Sequence, residues 1–392
     1  MPLTYCLNVH PGESWPENFT TLRTTVLAVR DLVSPGKPFG LGMRLSAAAA
    51  SQLDNPSQLA ELTGFLRSEN LYVFTINGFP FGRFHGGPVK ENVYAPDWRS
   101  PLRRDYTNQL ASILAGLVPE GETGSISTVP CSWKAWIQSR DDLDPILDHL
   151  TDCVAHCAAI STRRRRDILL ALEPEPGCLL ETTAETVEFF NGHLFTRGAT
   201  LLAAKLRASE TSARALIRHH LGVCLDTCHT ALQFEDPAES LRRYEAEGIR
   251  VSKIQISSAL RTDGSPAAFE ALRPFAEPVY LHQVKARTAA GEILSFTDLP
   301  EALESLDALP AAGVREVRIH FHVPLHFTGS GPLNSTASLL TPEFLTYIAR
   351  DPLTHLELET YTWDVLPPSL RSASVQQSIA AEFDWFNRSK SA

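Results

Sequence analysis

The sequence holds no run approaching about 18 consecutive apolar residues, so it offers no transmembrane helix. Its seven cysteines, odd in number and irregularly spaced, read as reduced thiols and not as a disulfide framework. Basic charge is not in excess. The formal net charge is −10, which argues against nucleic acid as a partner. No glycine-rich dinucleotide or phosphate-loop fingerprint follows any apolar run. Met1-Pro2-Leu3-Thr4-Tyr5 lacks the basic-then-apolar build of a secretory signal. Internal repeats and long low-complexity linkers are also missing. These absences point to a soluble, cytoplasmic protein.

What is present is a chain of 392 residues, 43% apolar and 20% charged, long enough to fold on a hydrophobic core alone. Short runs rich in Val, Ile, Leu and aromatics alternate with longer segments of helical period. The strand candidates are Leu3–His10, Phe39–Leu45, Leu71–Asn77, Gly124–Val129, Asp167–Glu173, Gly222–His229, Lys253–Ser257 and Leu356–Tyr361. Between them, Leu22, Val26, Val29 and Val33 share one helix face, as do Tyr106, Leu110, Ile113, Leu114 and Leu117. Ile146, Leu150, Cys153, Val154 and Cys157 form a third such face. This rhythm reads as parallel βαβ units, and eight of them fit an α/β fold of the (β/α)8 TIM-barrel type. Val279–Arg287 and Val317–Leu325 are surplus strands. They place an elaboration, residues 278–327, between the seventh and eighth barrel strands of a single domain spanning 1–392. A doubly wound open sheet is the alternative.

Strands covered on both faces should be apolar inside, and barrel enzymes place their chemistry at the C-terminal strand ends. Four later strands break the first rule at that end. The fifth runs through Leu172 into Glu173-Pro174-Glu175, and the sixth delivers Asp226-Thr227-Cys228-His229. The seventh carries Gln255 in an apolar run, and the eighth puts Glu357 and Glu359 on one side by its period of two. Unpaired buried carboxylates are costly, so their convergence calls for a cation. Glu173, Asp226, Gln255 and Glu359 form an oxygen-rich set suited to Mn2+ first, with Mg2+, Co2+ or Zn2+ as alternatives.

His229 is a candidate second-metal ligand, supporting group or substrate donor. His10, Arg44, Asn77, His85, His282 and His322 are candidate substrate contacts, with His320 and His322 on one strand face. The segments Asn77-Gly78-Phe79-Pro80 and Phe84-His85-Gly86-Gly87 form an aromatic, glycine-rich loop that could close over substrate. The basic run Arg163–Arg166 reads as a solvated loop.

With Leu172-Glu173-Pro174, Leu225-Asp226-Thr227-Cys228-His229, Gln255 and Glu359, the sequence resembles the xylose isomerase-like barrel superfamily of sugar epimerases, cyclitol and dehydroshikimate dehydratases, and endonuclease IV. More closely, Asn8-Val9-His10-Pro11-Gly12-Glu13-Ser14-Trp15, Phe74-Thr75-Ile76-Asn77-Gly78-Phe79-Pro80, Ser125-Ile126-Ser127-Thr128-Val129-Pro130 and Glu359-Thr360-Tyr361-Thr362-Trp363 look like the EboE-type metabolite traffic proteins. The resemblance implies a metal held by Glu173, Asp226, Gln255 and Glu359. Gln255 departs from the superfamily's usual seventh-strand histidine, and His282 or His322 could supply that imidazole.

The function this implies is a metal-dependent isomerase or epimerase acting on a sugar, cyclitol or related polyol in secondary metabolism or traffic. Glu173 and Glu359 would move the proton of an enediolate, with His229 as a further catalytic candidate. The alternatives are a dehydratase of cyclitol or dehydroshikimate type, favoured by Gln255, and a non-catalytic small-molecule binding protein. Neither nucleic acid nor membrane insertion is expected, and the sequence does not set the oligomeric state.

Overall fold

The computed structural model describes residues 3–307, 313–351, 354–371 and 374–391. The chain lays down β1 (Leu3–Tyr5), β2 (Phe39–Arg44), β3 (Leu71–Asn77), β4 (Thr123–Thr128), β5 (Asp167–Leu172), β6 (Leu221–Asp226) and β7 (Val251–Ile256). A second group follows: β8 (Ala259–Thr262), β9 (Val284–Thr288), β10 (Ile293–Phe296), β11 (Val314–His322) and β12 (Leu333–Ser335). Then β13 (His355–Leu358) returns to the first group.

Strands β1 to β7 and β13 form one parallel sheet in the order β1-β13-β7-β6-β5-β4-β3-β2. The sheet closes on itself. Cys6 and Gly42 form a parallel bridge, and the Gly42 N–H donates to Thr4 Oγ1 at 3.2 Å. The result is a (β/α)8 barrel, which excludes the open doubly wound alternative. Its helices are held by the faces expected from their period: Leu22, Val26, Val29, Leu110, Ile113, Ile146, Leu150 and Cys153 are all buried. Burying such an aliphatic side chain is worth about 1.5–3 kcal/mol. No helix among the described residues is long and apolar enough to cross a membrane, and all seven cysteines are free and buried.

Several expected strands are shorter than their apolar runs; β13, for one, ends at Leu358 and not at Tyr361. β1 gives way to a 3-10 turn at Leu7–Val9. β6 stops at Asp226 because its carboxylate caps the helix Thr227–Leu232, accepting from the N–H groups of Cys228 at 2.7 Å and His229 at 3.1 Å. An aspartate in this place satisfies helix-end donors that would otherwise be left over.

The elaboration is larger than residues 278–327. β8 to β12 make a five-stranded antiparallel sheet in the order β10-β9-β11-β8-β12, and residues 308–312 lie outside the described residues. It begins as soon as β7 ends, since only Ser257 and Ser258 separate β7 from β8. Leu260, Phe269, Phe275, Val284, Val317, Ile319 and Phe321 give it a hydrophobic core of its own. On β11 the side-chain period of two puts Val317, Ile319 and Phe321 into that core. The alternate residues His320 and His322 line a cavity at the barrel mouth.

Candidate metal centre

Three barrel strands end in buried carboxylates that meet. Glu173 follows β5, Asp226 closes β6 and Glu359 follows β13, and one carboxylate oxygen from each lies within 4.8 Å of the others. Each is at most 4% exposed. The outer oxygens are held. Glu359 Oε1 accepts from Asn8 Nδ2 at 2.6 Å and Asn77 Nδ2 at 3.4 Å. Asp226 Oδ1 accepts from Ser257 Oγ at 2.6 Å as well as from its two helix N–H groups. The other oxygens, Glu173 Oε2, Asp226 Oδ2 and Glu359 Oε2, are buried without a hydrogen-bond partner. A buried acceptor left so costs about 1–3 kcal/mol, more when charged.

His322 brings a fourth such atom. Its Nδ1 bonds the Glu359 carbonyl at 3.0 Å, while its Nε2 has no partner and groups with Asp226 and His229. The carbonyl can only accept, so Nδ1 carries the proton and Nε2 presents a lone pair. The three carboxylate oxygens form one group, and His322 with Asp226 and His229 another, so Asp226 is the donor the two share. Gln255 does not offer a matching oxygen: its Oε1 accepts from Cys224 Sγ at 3.0 Å, and the amide atom without a partner is Nε2, a donor. His282 is spent too, with Nδ1 on the His320 carbonyl at 2.9 Å and Nε2 on Glu277 Oε1 at 2.7 Å.

Burial, followed by repulsion from Asp226 and Glu357, pushes the Glu173 carboxyl up, against Lys253 and the Ser127 hydroxyl. Burial, then Glu173 and Asp226, push Glu359 well above the carboxylate range. Burial also raises Asp226, but His229, His322, the Ser257 hydroxyl and the His229 N–H pull it lower than usual. Burial drives the His229 ring toward neutrality and His322 down to about 4. The hydrogen bonds to Oδ1 favour the ionised form of Asp226. The perturbed carboxylates and imidazoles thus gather at the C-terminal ends of the barrel strands.

The cavity above these groups offers about 50 Å3 to water. Glu173, Glu359, His229, His320 and His322 form its polar floor. Phe79, Phe84, Tyr94, Tyr280 and Tyr361 are its aromatic wall. Asp226 stands behind that surface. From the aromatic loop, Phe79, Pro80 and Phe84 line this cavity, and Arg83 donates to the carbonyls of His85 and Gly86 within the loop.

Of the expected substrate contacts, Asn77 and His322 line the cavity, whereas His10, Arg44, His85 and His282 do not. His10 Nε2 is bonded to the Tyr5 hydroxyl at 3.0 Å. His85 uses both nitrogens, on the Asn8 carbonyl at 2.6 Å and the Tyr280 hydroxyl at 2.9 Å. Arg44 ties loops together: it meets Glu13 at 2.8 Å, the Gly12 carbonyl at 3.0 Å and the Gly82 carbonyl at 2.6 Å. Buried polar residues with their hydrogen bonds satisfied hold the mouth in shape.

Sequence reasoning passed over Asn8, which orients Glu359, and the Lys253–Glu357 ion pair at 2.5 Å inside the barrel. The signal for the latter was a lysine in the middle of β7. Glu175 and His320 also line the cavity.

No protein-family model matches this chain, and no curated protein sequence matches it. Among solved structures it is similar to the probable 3-DHS dehydratase AsbF from Bacillus anthracis, with 13% identity over 99% of each chain and a TM-score of 0.45. It is also similar to the IOLI protein with a bound zinc atom, with 14% identity over 100% of each chain and a TM-score of 0.46. A xylose isomerase domain protein from Planctomyces limnophilus shares 13% identity over 93% of this chain and 91% of its own, with a TM-score of 0.48.

Proposed function

We propose that this chain is a divalent-metal-dependent enzyme of the xylose isomerase-like kind. In this reading it moves a proton beside a carbonyl in a small polyhydroxylated substrate, a sugar or cyclitol, as an isomerase or epimerase. The observation that carries the reading is the set of buried, unpartnered donor atoms on Glu173, Asp226, His322 and Glu359. These four residues would hold the ion, with His322 in the place first given to Gln255. Mn2+, Co2+ and Zn2+ all suit three carboxylates and one imidazole. When bound, the ion would polarise the substrate carbonyl and keep the carboxylates ionised.

The chain's own groups do the rest. Glu173 and Glu359 stand at the ends of different strands, so one can take a proton from carbon and the other return it. Asn8 and Asn77 fix the Glu359 carboxylate through Oε1 and leave Oε2 to face the ion. The Glu359 carbonyl fixes the His322 ring. Phe79, Phe84 and Tyr361 line the cavity beside the floor groups and narrow the space open to water there. A place among the EboE-type proteins of secondary metabolism is part of this proposal and rests on the sequence motifs, of which Asn8 and Asn77 bond Glu359.

The test is deuterium entry from heavy water into a panel of ketoses and inososes, followed by NMR with the metal-loaded protein. Exchange at the carbon beside the carbonyl is expected, falling by about 100-fold or more in Glu359→Gln. Undiminished exchange in that variant removes Glu359 from proton transfer. A new enone absorption would turn the reading to dehydration, and tight retention without exchange would turn it to a carrier.

A further inference from the structure

Three short segments reach the barrel mouth, and each contributes twice. Glu173-Pro174-Glu175 follows β5, Asp226-Thr227-Cys228-His229 closes β6, and His320-Phe321-His322 ends β11. One member of each, Glu173, Asp226 and His322, belongs to the ion site proposed above. The other members form a second buried triad, with ligand atoms of Glu175, His229 and His320 all within 4.8 Å of one another.

The hydrogen bonds around this triad fix the tautomers. His229 Nδ1 is bonded to the Pro174 carbonyl at 3.0 Å, so it carries a proton. The Gln283 amide nitrogen donates to the Pro176 carbonyl at 2.9 Å and the Tyr94 hydroxyl at 2.8 Å, which turns its oxygen toward His320. His320 Nδ1 meets that oxygen at 2.7 Å and therefore also carries a proton. Both rings consequently aim Nε2 lone pairs at each other, 3.1 Å apart, with Glu175 Oε2 3.4 Å from His229 Nε2. Lone pairs so placed repel unless a metal ion or a shared proton lies between them. Two atoms bound to one tetrahedral zinc lie about 3.3 Å apart, close to these separations. Imidazoles that donate their outer N–H to a carbonyl are the usual supporting arrangement of zinc ligands.

We infer that Glu175, His229 and His320 form a second metal site, of the two-imidazole, one-carboxylate class that takes Zn2+, beside the oxygen-rich one. It shares no ligand with the first site and does not depend on the reaction proposed there. His229 is thereby a ligand and not a proton-transfer group. The two sites differ in chemistry: the second has more nitrogen and selects a softer ion.

The experiment is equilibrium loading of the metal-stripped full chain with Zn2+, counted by elemental mass spectrometry, and with Co2+, read by visible absorption. Two equivalents of zinc are expected in the wild type and one in His320→Ala. Asp226→Asn should also hold one, and it should keep the intense visible band of four-coordinate cobalt that His320→Ala loses. Glu175→Gln, close in size, repeats the test should His320→Ala not fold. A wild type that binds two equivalents and keeps both in His320→Ala and Glu175→Gln would overturn the site. So would a single equivalent lost only in Asp226→Asn. A single equivalent lost in His320→Ala but kept in Asp226→Asn would uphold this site and sink the first.

Discussion

Two layers of carboxylates lie inside this barrel, and they are treated differently. In the lower layer Glu357 is fully buried and faces Lys253 Nζ at 2.5 Å, itself fully buried and 3.3 Å from Ser127 Oγ. Two residues further along the chain, in the upper layer, Glu359 joins Glu173 and Asp226 with one oxygen on each left unpartnered. The lower layer answers its charge with the protein's own ammonium, although neither Glu357 oxygen makes a hydrogen bond. The upper layer leaves one oxygen on each carboxylate unpartnered, with Glu173 and Glu359 lining a cavity, which is the arrangement the proposed ion site needs.

Substitutions should separate the layers by sign. Lys253→Met strands a buried carboxylate, and the expected loss is about 3–5 kcal/mol in urea unfolding. Adding Glu357→Leu should recover most of it. A loss near zero in the single variant would mean the lower pair is not closed as described.

Glu382, on the C-terminal helix Val375–Ser389, offers a third environment. It accepts from Thr360 Oγ1 at 2.6 Å and the Leu325 N–H at 3.1 Å, yet burial pushes it up to about 7. A carboxyl raised on folding contributes stability that is full below its unfolded pKa and is lost as pH rises through the folded one. Between pH 4.5 and 8 the wild type should therefore lose about 3 kcal/mol from this group. Glu382→Gln should not show that component in paired pH-dependent melts.

In the upper layer, Asp226→Asn should lower metal affinity by about 100-fold, measured by competition with a chelating dye, while leaving metal-free stability nearly unchanged. The smallest effect is the most diagnostic of sign. In metal-free protein at pH 8, Glu359→Gln should stabilise by about 1 kcal/mol, because it relieves repulsion among like charges. Destabilisation there would place Glu359 with the lower layer.

The barrel and its three carboxylates were legible because both rest on local pattern. A strand covered on both faces is apolar, so Glu173, Asp226 and Glu359 stood out at its end. The period of two also paired Glu357 with Glu359, although it could not tell that one belongs to each layer. The imidazole was harder. His322 arrives from β11, a strand of the inserted sheet, and strand period does not say which sheet a strand joins. β8 has only four residues, Ala-Leu-Arg-Thr, too few to show a pattern, so the insertion looked smaller than it is. His10, Arg44, His85 and His282 resembled site residues because they are polar near strand ends. Their partners are carbonyls, hydroxyls and carboxylates brought in by folding, several from distant loops, which no spacing along the chain records.

The most direct test is anomalous diffraction from crystals grown with Mn2+ or Zn2+, recorded on both sides of the metal absorption edge. The account predicts a peak within bonding distance of Glu173, Asp226, His322 and Glu359. Fully loaded crystals with no peak among those four side chains would contradict it.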